Sequence, residues 1–326
     1  MTRDPRNLGE PLPFDGLRST SLFSRPSKVN SEDFAKPWQP GRPFSEFVES
    51  LPAFLAAGQF REAVRAVTRA LKDRRTVLLG MGAHAIKVGL NPILIDALER
   101  GIFTGLALNG AGIIHDVELA LAGKTSEDVA AHLHTGQFGA ARETAEFIHE
   151  AVARAHARGS MGLGRAVGEG LLEAAPPYLD VSLLAAAARN NIPVTVHVAM
   201  GTDIIHMHPA MDGAAMGALS HYDFRVFCRL VSTLERGVFI NLGSAVIIPE
   251  VFLKAVSVAC NLGFSMAGLT TVNMDFQRQY RAQVNVVERP TAGCGTGIAL
   301  TGHHEIMFPL LLAAVLEELE RGGDHA

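Results

Sequence analysis

The sequence has few cysteines, no large excess of charge of either sign and no long apolar run, and each absence excludes a class of protein. Its three cysteines, Cys228, Cys260 and Cys294, are an odd number without CxxC spacing, so no disulfide framework is expected. The net charge of -4 from 29 basic and 33 acidic side chains gives no sign of a nucleic acid or membrane partner. No apolar run reaches the roughly 18 residues that span a bilayer, and no signal-peptide pattern is present. We therefore expect a cytoplasmic protein that binds neither nucleic acid nor membrane.

The N-terminal segment, residues 1–42, has the composition of an extended arm. Seven of the 16 prolines fall between residues 5 and 43, and neither a strand period nor a helix period persists there. The segment also contains the only tryptophan, Trp38, and large apolar residues such as Phe14, Phe23 and Phe34. A disordered tail is the alternative, but such tails are usually less apolar. We expect an arm that packs on its own body or on a neighbouring subunit, followed by a single domain over residues 43–326.

Short apolar runs alternate with helical segments from residue 44 onward. Two amphipathic helices come first, between residues 44 and 71. The apolar runs have the length of buried parallel strands and lie at residues 76–79, 105–108, 194–198, 238–242 and 269–272. The helical segments after the first run lie at about 86–99, 114–122, 136–157, 180–190, 223–235, 250–262 and 304–320. This alternation predicts an α/β fold with a Rossmann-like parallel sheet flanked by helices. A TIM barrel is the alternative, but five strands do not fit its eight even repeats.

The residues after each predicted strand matter most, because ligands of open parallel sheets bind beyond the carboxyl ends of the strands. The first strand runs into Gly80, Gly82 and His84, and the second runs into Asn109 and Gly110. Both glycine loops would let backbone amides approach a phosphate at the start of a helix. Tight strand-to-helix turns that need a positive φ are the alternative explanation of these glycines.

The third predicted strand ends in a segment with three histidines and an aspartate, His197, Asp203, His206 and His208. If residues 206–208 are extended, the two rings of His206 and His208 face the same side, as a metal site needs. The alternative is that the histidines line a polar pocket or bond to backbone carbonyls. After the fourth strand, Glu250 lies near the start of a helix, where an acid also complements the helix dipole.

The last predicted strand and the last helix enclose a glycine-rich loop. The strand ends in Asn273, Met274 and Asp275, and the loop includes Cys294 between two glycines. Cys294 is a possible nucleophile, although an unreactive loop cysteine is the commoner case. His303 and His304 begin the last helix and point about 100° apart, so we do not expect both to serve one site equally.

Taken together and in order, these loops resemble the deoxyhypusine synthase family over residues 45–320. The motifs that carry the resemblance are the segments 79–89, 109–116, 192–194, 243–246 and 307–311. The resemblance implies a Rossmann-like homotetramer that binds NAD at a subunit interface. By the resemblance, the cofactor contacts are expected at Gly82, Ala83, His84, Ala85, Ile86, Asn109, Gly110, Ala111, Asp203, Gly243, Asn273, Met274, His303 and His304.

The sequence departs from the family pattern at the positions that carry its chemistry. Ile114 and His115 stand where the family has a pair of glutamates, and Glu250 stands near the place of a polyamine-binding histidine. The family forms a covalent imine on a lysine between the fifth strand and the last helix, but this chain has six lysines and none follows Lys254. Arginine does not replace lysine in that role, because it stays protonated. Deoxyhypusine synthesis by the covalent route is therefore not expected.

Three functions remain open from the sequence. The first is an NAD-dependent transferase or oxidoreductase that acts on a different small molecule, with His115, Glu250 and Asp275 as acid or base residues. The second is a metal-dependent hydrolase or lyase that uses His197, Asp203, His206 and His208 with a histidine of the last helix. The third is a binding protein that has lost the chemistry. We favour the first of these.

Overall fold

The computed structural model describes residues 11–323 and contains one six-stranded sheet with helices on both faces. All five strand pairs are parallel. The strands are β1 (Val77–Met81), β2 (Gly105–Asn109), β3 (Val194–His197), β4 (Val238–Leu242), β5 (Leu269–Asp275) and β6 (Gly295–Thr301). Their order across the sheet is β3-β2-β1-β4-β5-β6. This is the strand order of dinucleotide-binding folds, so the predicted Rossmann-like α/β class is confirmed and the TIM barrel alternative is wrong.

Thirteen α-helices connect and cover the strands within the described residues. They are α1 (Phe44–Ser50), α2 (Leu55–Lys72), α3 (His84–Lys87), α4 (Asn91–Glu99), α5 (Gly110–Ala122), α6 (Val129–His132), α7 (Arg142–Arg158), α8 (Leu163–Ala174), α9 (Leu183–Arg189), α10 (Gly213–Val231), α11 (Ile247–Asn261), α12 (Tyr280–Ala282) and α13 (His304–Gly323). A π-helical turn, Gln283–Glu288, follows α12 directly. None of the described helices is both long and apolar enough to cross a membrane.

The sheet separates two apolar cores. On one face, Leu79 and Met81 of β1 pack with α2, α5 and α13 in the larger core. On the other face, Leu78 of β1 and Phe239 of β4 pack with α10, α11 and the π-helical turn. The rings of Phe239 and Phe252 stack there at 3.7 Å between centroids. Because alternate strand residues face opposite cores, the central strands carry apolar side chains on both faces of the sheet.

Buried aspartates tie the outer helices to the sheet. Asp223 of α10 accepts the backbone N–H groups of Gly164 in α8 and Val196 in the edge strand β3, at 2.9 and 2.8 Å. Burial raises the pKa of Asp223 to about 7, against the opposing effect of these hydrogen bonds. Asp223 thus covers polar groups of an edge strand that would otherwise be open to pairing with another chain.

Several helix and strand predictions need correction. The segment 86–99 is two helices, because Gly89 between them has a φ of +83° that a continuous helix does not allow. In the segment 125–190 the sequence predicts two helices, at about 136–157 and 180–190. The structure has four helices there, α6 to α9. The predicted glycine loop before the last helix contains the strand β6. The two N-terminal helices and the last helix are confirmed.

Within residues 11–42, the predicted arm forms hydrogen bonds to the body only near its end. Residues 1–10 of that prediction lie outside the described residues, and residues 11–32 form no helix longer than a three-residue 3₁₀ turn. The first long-range hydrogen bonds are from the Ala53 N–H to the Asp33 carbonyl and from the Lys36 N–H to the Ser50 carbonyl, both at 2.8 Å. Trp38 then packs edge-on against Phe47 of α1.

Candidate functional site

The candidate site lies beyond the carboxyl ends of β1 and β4, which are neighbours in the sheet. The strand order reverses at this point, with β2 and β3 on one side and β5 and β6 on the other. In folds with this strand order, ligands bind in the crevice beyond these carboxyl ends. The Gly82 N–H bonds to the Leu242 carbonyl at 3.0 Å, and a Cβ at Gly82 would come within 2.4 Å of the Gly243 carbonyl oxygen. Gly82 is therefore required by the close approach of two loops. Its φ is not positive, so the turn explanation of this glycine is wrong.

His304, the first residue of α13, is the buried polar group at the centre of this site. Its side chain is 1% exposed, and neither Nδ1 nor Nε2 has a hydrogen-bond partner among the described residues. Gly243, with a φ of +64°, lies so close that a Cβ there would be 2.6 Å from His304 Cε1. Burial lowers the pKa of His304, although the charge of Asp275, 3.8 Å away, acts in the opposite direction. Burial therefore favours the neutral imidazole, whose ring nitrogen can act as a proton acceptor.

Two further rings surround His304. The ring centroids of His84 and His304 are 5.3 Å apart, and Phe276 lies 5.9 Å from each. His84 is exposed and Phe276 is 45% exposed, so these two rings separate His304 from solvent. His303 is 71% exposed and lies beside Glu305, so the two histidines have different surroundings. Phe276 was not predicted, although it directly follows Asp275 at a strand end.

A pair of asparagines extends the polar surface along the strand ends. Asn241 of β4 donates from Nδ2 to the Ser244 carbonyl at 2.9 Å and to Asn273 Oδ1 of β5 at 2.7 Å. Asn241 Oδ1 is buried without a partner in the described part of the chain. Asn241 is not among the predicted site residues. An amide inside an otherwise apolar buried strand nevertheless indicates a polar site in the sequence.

The segment after β3 brings Asp203 onto the start of α5, which belongs to the second predicted loop. A Cβ at Gly110 would lie 2.0 Å from Asp203 Oδ2, so the space that Gly110 leaves is filled by this carboxylate. Burial raises the pKa of Asp203 to about 6, and Oδ2 has no hydrogen-bond partner among the described residues. Asn109 caps the helix by accepting the Gly112 N–H at 3.1 Å. The Asp203 carboxylate is therefore placed to accept a hydroxyl or ammonium proton beside the first turn of α5.

The histidines after β3 do not come together as a metal site. Residues Ile204–Met207 form a 3₁₀ turn, so the extended geometry considered for His206 and His208 is wrong. His206 lies 4.0 Å from Asp203, whereas His208 stacks on His149 at 5.8 Å between ring centroids. His197 contacts Phe227, and burial lowers its pKa to about 4. No group of three or more His, Cys, Asp or Glu side chains is arranged to hold a metal ion within residues 11–323.

The three residues predicted as acids or bases occupy separate places. The His115 ring bonds through Nδ1 to the Thr125 hydroxyl at 2.6 Å, and Thr125 donates to Glu118. Burial acts to raise the pKa of Glu118, but hydrogen bonds from His115 and Thr125 to its carboxylate and the charge of His115 outweigh this effect and lower the pKa. Among His115, Glu250 and Asp275, only Asp275 lies beside His304.

Glu250 belongs to a charged cluster at the start of α11. It accepts hydrogen bonds from Lys254 Nζ at 2.5 Å and from Asn285 Nδ2 at 2.9 Å, and Arg281 Nε lies 3.2 Å away. The Lys254 ammonium is the main cause of the lowered pKa of Glu250. These contacts connect α11 to the π-helical turn. The Glu250 carboxylate is therefore explained as a member of a structural ion pair.

The remaining predicted contacts divide between the site and the core. Ala83, Ala85 and Ile86 are buried around the four-residue helix α3, which is too short to provide a strong anion site. Met274 is buried in the larger core. Ala111 follows Gly110 in the first turn of α5. Cys294 lies before β6, at the amino end of that strand and away from the site, and its thiol donates to the Pro290 carbonyl at 3.3 Å.

Comparison with known proteins relates the chain to solved structures at low identity. No family model and no curated protein sequence matches it. AgrE in complex with ornithine and NAD+ superposes with a TM-score of 0.54 and 12% identity, covering 83% of this chain and 35% of AgrE. Unliganded AgrE gives a TM-score of 0.52 and 12% identity over 87% of this chain and 34% of that one. A candidate deoxyhypusine synthase from Entamoeba histolytica gives a TM-score of 0.49 and 14% identity, covering 87% and 96% of the two chains.

This chain spans about a third of the length of the AgrE structures, with 35% and 34% of those chains covered. At these identities, the likeness shows a common architecture. The chain has the parallel α/β fold of the matched part of AgrE.

Proposed function

We propose that this chain is an enzyme that binds NAD at the carboxyl edge of its sheet and acts on a small molecule. The observation that carries the proposal is the set of buried polar atoms without partners at this edge. Of eight such atoms in the described residues, five belong to Asp203, His206, Asn241 and His304. Buried polar groups are nearly always paired in folded proteins, so a cluster of unpaired ones is expected where a ligand completes the bonding.

The residues present fit a dinucleotide. The strand order supports a crevice between β1 and β4, and Asp203 offers a carboxylate for hydroxyl groups such as those of a ribose. Asn109, Gly110 and Ala111 form the start of a 13-residue helix, and Gly82 and Gly243 allow close backbone approach. Asn273 adds an amide at the end of β5.

NAD, when bound, supplies a hydride acceptor or donor. The chain supplies the proton chemistry. Burial favours the neutral form of His304, which is held 3.8 Å from Asp275, so the pair can take a proton at His304 and stabilise the resulting charge. His84 and Phe276 exclude water from His304. This assignment keeps Asp275 among the acid and base candidates and adds His304 to them.

The substrate class and the assembly rest on the neighbours and on the sequence. AgrE is solved with ornithine, so small molecules with an amino group are the first compounds to test. Residues 276–302 contain no lysine, which favours a route without an enzyme-linked imine. The sequence resemblance implies a homotetramer, and the protein is expected to work in the cytoplasm. We keep a single domain over residues 43–326 as part of the proposal.

Calorimetry with NAD+ and NADH tests the cofactor assignment. We expect binding to the unmodified protein, and at least tenfold weaker binding or complete loss of turnover in His304→Gln. His303→Gln is the matched control, because that neighbouring ring is exposed and faces away from the site. Turnover is followed by NADH absorbance with ornithine, arginine and spermidine as trial substrates. Absence of NAD+ and NADH binding in the presence of all three compounds would contradict the proposal.

A further inference from the structure

Three side chains of α5 and the loop after it form a series of hydrogen bonds that the proposed function does not use. His115 Nδ1 lies 2.6 Å from Thr125 Oγ1, and the Thr125 hydroxyl donates to Glu118 Oε2. His115 Nδ1 and Glu118 Oε2 are 3.8 Å apart, so the hydroxyl bridges the ring and the carboxylate. We name His115, Thr125 and Glu118 the α5 relay.

The direction of each hydrogen bond in the α5 relay follows from the protons available. A carboxylate only accepts, and a threonine hydroxyl has a single proton to donate. Burial acts to raise the pKa of Glu118, but its hydrogen bonds and the charge of His115 lower it, so the carboxylate is ionised at neutral pH. The proton of Thr125 is therefore used on Glu118, and Thr125 Oγ1 accepts from the ring. Nδ1 of His115 consequently carries a proton.

The other ring nitrogen of His115 is left as an acceptor. In a neutral imidazole, a proton on Nδ1 leaves Nε2 with a lone pair. Nε2 forms no hydrogen bond among residues 11–323 and is not one of the buried atoms without a partner. The ring is 17% exposed, so the lone pair can be reached from solvent. The ionised carboxylate of Glu118 stabilises the charge that the ring acquires when Nε2 takes a proton.

Holding the loop after α5 in place does not require this ring. Thr125 donates directly to Glu118, and that bond alone ties the loop to the helix. The addition of His115 fixes the tautomer of the ring and directs its acceptor outward. Such an arrangement is typical of a group that exchanges a proton with a bound molecule.

The exposed side of α5 connects His115 with the candidate site. The helix begins at Gly110, which adjoins the Asp203 carboxylate. Ala111 and His115 are one turn apart on the same side of the helix, and neither is fully buried. With a rise of 1.5 Å per residue, His115 lies about 7.5 Å along the axis from Gly110. A small molecule that begins at the crevice can therefore extend to the ring.

We propose that His115 takes a proton through Nε2 from the ammonium group of a substrate bound along the exposed side of α5, with Thr125 and Glu118 as positioning residues. This role rests on the proposed function for its substrate class, small molecules with an amino group. An ammonium nitrogen has no lone pair, so no hydride leaves the adjacent carbon until one N–H bond has broken. The electron pair of that bond stays on the substrate nitrogen, and the proton moves to Nε2. His304 remains for the proton released later, when the oxidised iminium becomes an imine.

Nitrogen NMR of the full-length protein with isotope-labelled histidine measures the tautomer directly. At a pH of about 8.5, two units above the ordinary histidine pKa, we expect a protonated Nδ1 and an unprotonated Nε2 in His115. His115→Gln assigns the signals, and the exposed His303 is the internal reference. A neutral His115 ring with its proton on Nε2 would overturn the proposal.

Changes at the other two residues separate the direction of the relay from its packing. Thr125→Val removes the hydroxyl at nearly the same volume, so we expect the fixed tautomer to be lost, whereas Thr125→Ser keeps it. Glu118→Gln lets the side-chain amide donate to Thr125, whose hydroxyl then donates to Nδ1, so Nε2 becomes the protonated nitrogen. Circular dichroism checks that the variants are folded. An unchanged tautomer in both Thr125→Val and Glu118→Gln would contradict the relay.

Binding of an amino compound tests the proton acceptor itself. At equilibrium the proton stays on the amine, because an ammonium is a weaker acid than an imidazolium, so the expected signal is a hydrogen bond at Nε2. With NADH present, which cannot accept a hydride, ornithine, arginine and spermidine are added in turn. We expect at least one of them to move the Nε2 resonance of His115 toward its protonated position, and not to do so in Thr125→Val. An Nε2 resonance that none of the three compounds changes would overturn the proposal.

Turnover and cofactor binding distinguish this proposal from the proposed function. We expect His115→Asn to bind NADH as the unmodified protein does and to lose about 100-fold or more in turnover, the effect of removing a proton acceptor. Equal turnover in His115→Asn and the unmodified protein would contradict the role of His115. Absence of NADH binding in calorimetry would instead contradict the proposed function, while the tautomer of His115 is decided on the free protein in either case.

Discussion

The carboxylate of Asp203 lies directly against the α-carbon of Gly110, so that a Cβ at Gly110 would fall 2.0 Å from Asp203 Oδ2. We expect Gly110→Ala to displace the segment around Asp203 and to lower the free energy of unfolding by about 1 to 3 kcal/mol. Urea unfolding measures the change. Combining Gly110→Ala with Asp203→Ala should recover most of the loss, because the second change removes the clashing group.

A helix glycine with free space provides the control for this effect. A Cβ at Gly217 in α10 meets nothing within 4 Å, so Gly217→Ala should stabilise the protein by about 0.5 to 1 kcal/mol. If Gly110→Ala were as stable as Gly217→Ala, the close contact between Asp203 and Gly110 would be disproved.

The raised pKa of Asp203 makes stability depend on pH. The carboxyl titrates near its ordinary 3.8 in the unfolded chain and at about 6 in the folded one, because burial disfavours the charge. Between these values the folded state binds more protons, so stability falls as pH rises through this interval. We expect Asp203→Asn to gain about 1 to 2 kcal/mol over the unmodified protein at pH 7.5 and to show no gain at pH 3.5. Asp180→Asn, at an exposed carboxylate, controls for the loss of one charge.

Asp116 is predicted to be a structural residue although it lies in one of the motifs that suggest a cofactor site. It is buried and accepts four hydrogen bonds, from Asn91 Nδ2, the Ser182 hydroxyl and the N–H groups of Leu183 and Leu184. We expect Asp116→Ala to cost about 3 to 5 kcal/mol in urea unfolding, because it leaves buried donors unpaired. Asp180→Ala is the exposed control, and an equal effect of both variants would contradict this role.

Much of the fold was predictable because buried parallel strands leave continuous apolar runs in the sequence. β6 was missed because it begins with Gly295 and includes Gly297, and such a segment reads as a loop. The structure gives the reason for both glycines: a Cβ at either would lie 2.0 Å from the carbonyl oxygen of Leu269 or Val287. α8 was missed for a similar reason, since Gly164 and Gly168 pack closely against the backbone of β3 and α9.

The candidate site was predictable only in part. The strand-end rule selects Gly82, Gly243 and Asp275, and the structure places these residues around His304, because the carboxyl ends of parallel strands share one edge. The rule does not show which side of a helix a residue occupies. His115 therefore joined the predicted set, although the structure pairs it with Thr125 and Glu118.

The two neighbours of His304 are expected to shift its pKa in opposite directions. Burial holds this pKa below 6.5, the charge of Asp275 raises it and the charge of His84 lowers it. We therefore expect Asp275→Asn to lower the pKa of His304 further and His84→Asn to raise it. NMR titration of the histidine Cε1 protons, assigned with His304→Gln, measures both shifts. Movement of the pKa in the same direction in both variants would contradict the arrangement around His304.

The last prediction is that the protein forms no imine between a lysine and a polyamine. Such an imine requires a free neutral amine in the site. None of the six lysines follows Lys254, and the Lys254 ammonium donates a hydrogen bond to Glu250 in the first turn of α11. Incubation with NAD+ and spermidine followed by borohydride reduction should leave the intact mass unchanged, while calorimetry on the same sample shows bound NAD+. Pyridoxal phosphate, which forms imines with accessible lysines, is the control for trapping. A stable polyamine adduct mapped to any lysine would contradict this prediction.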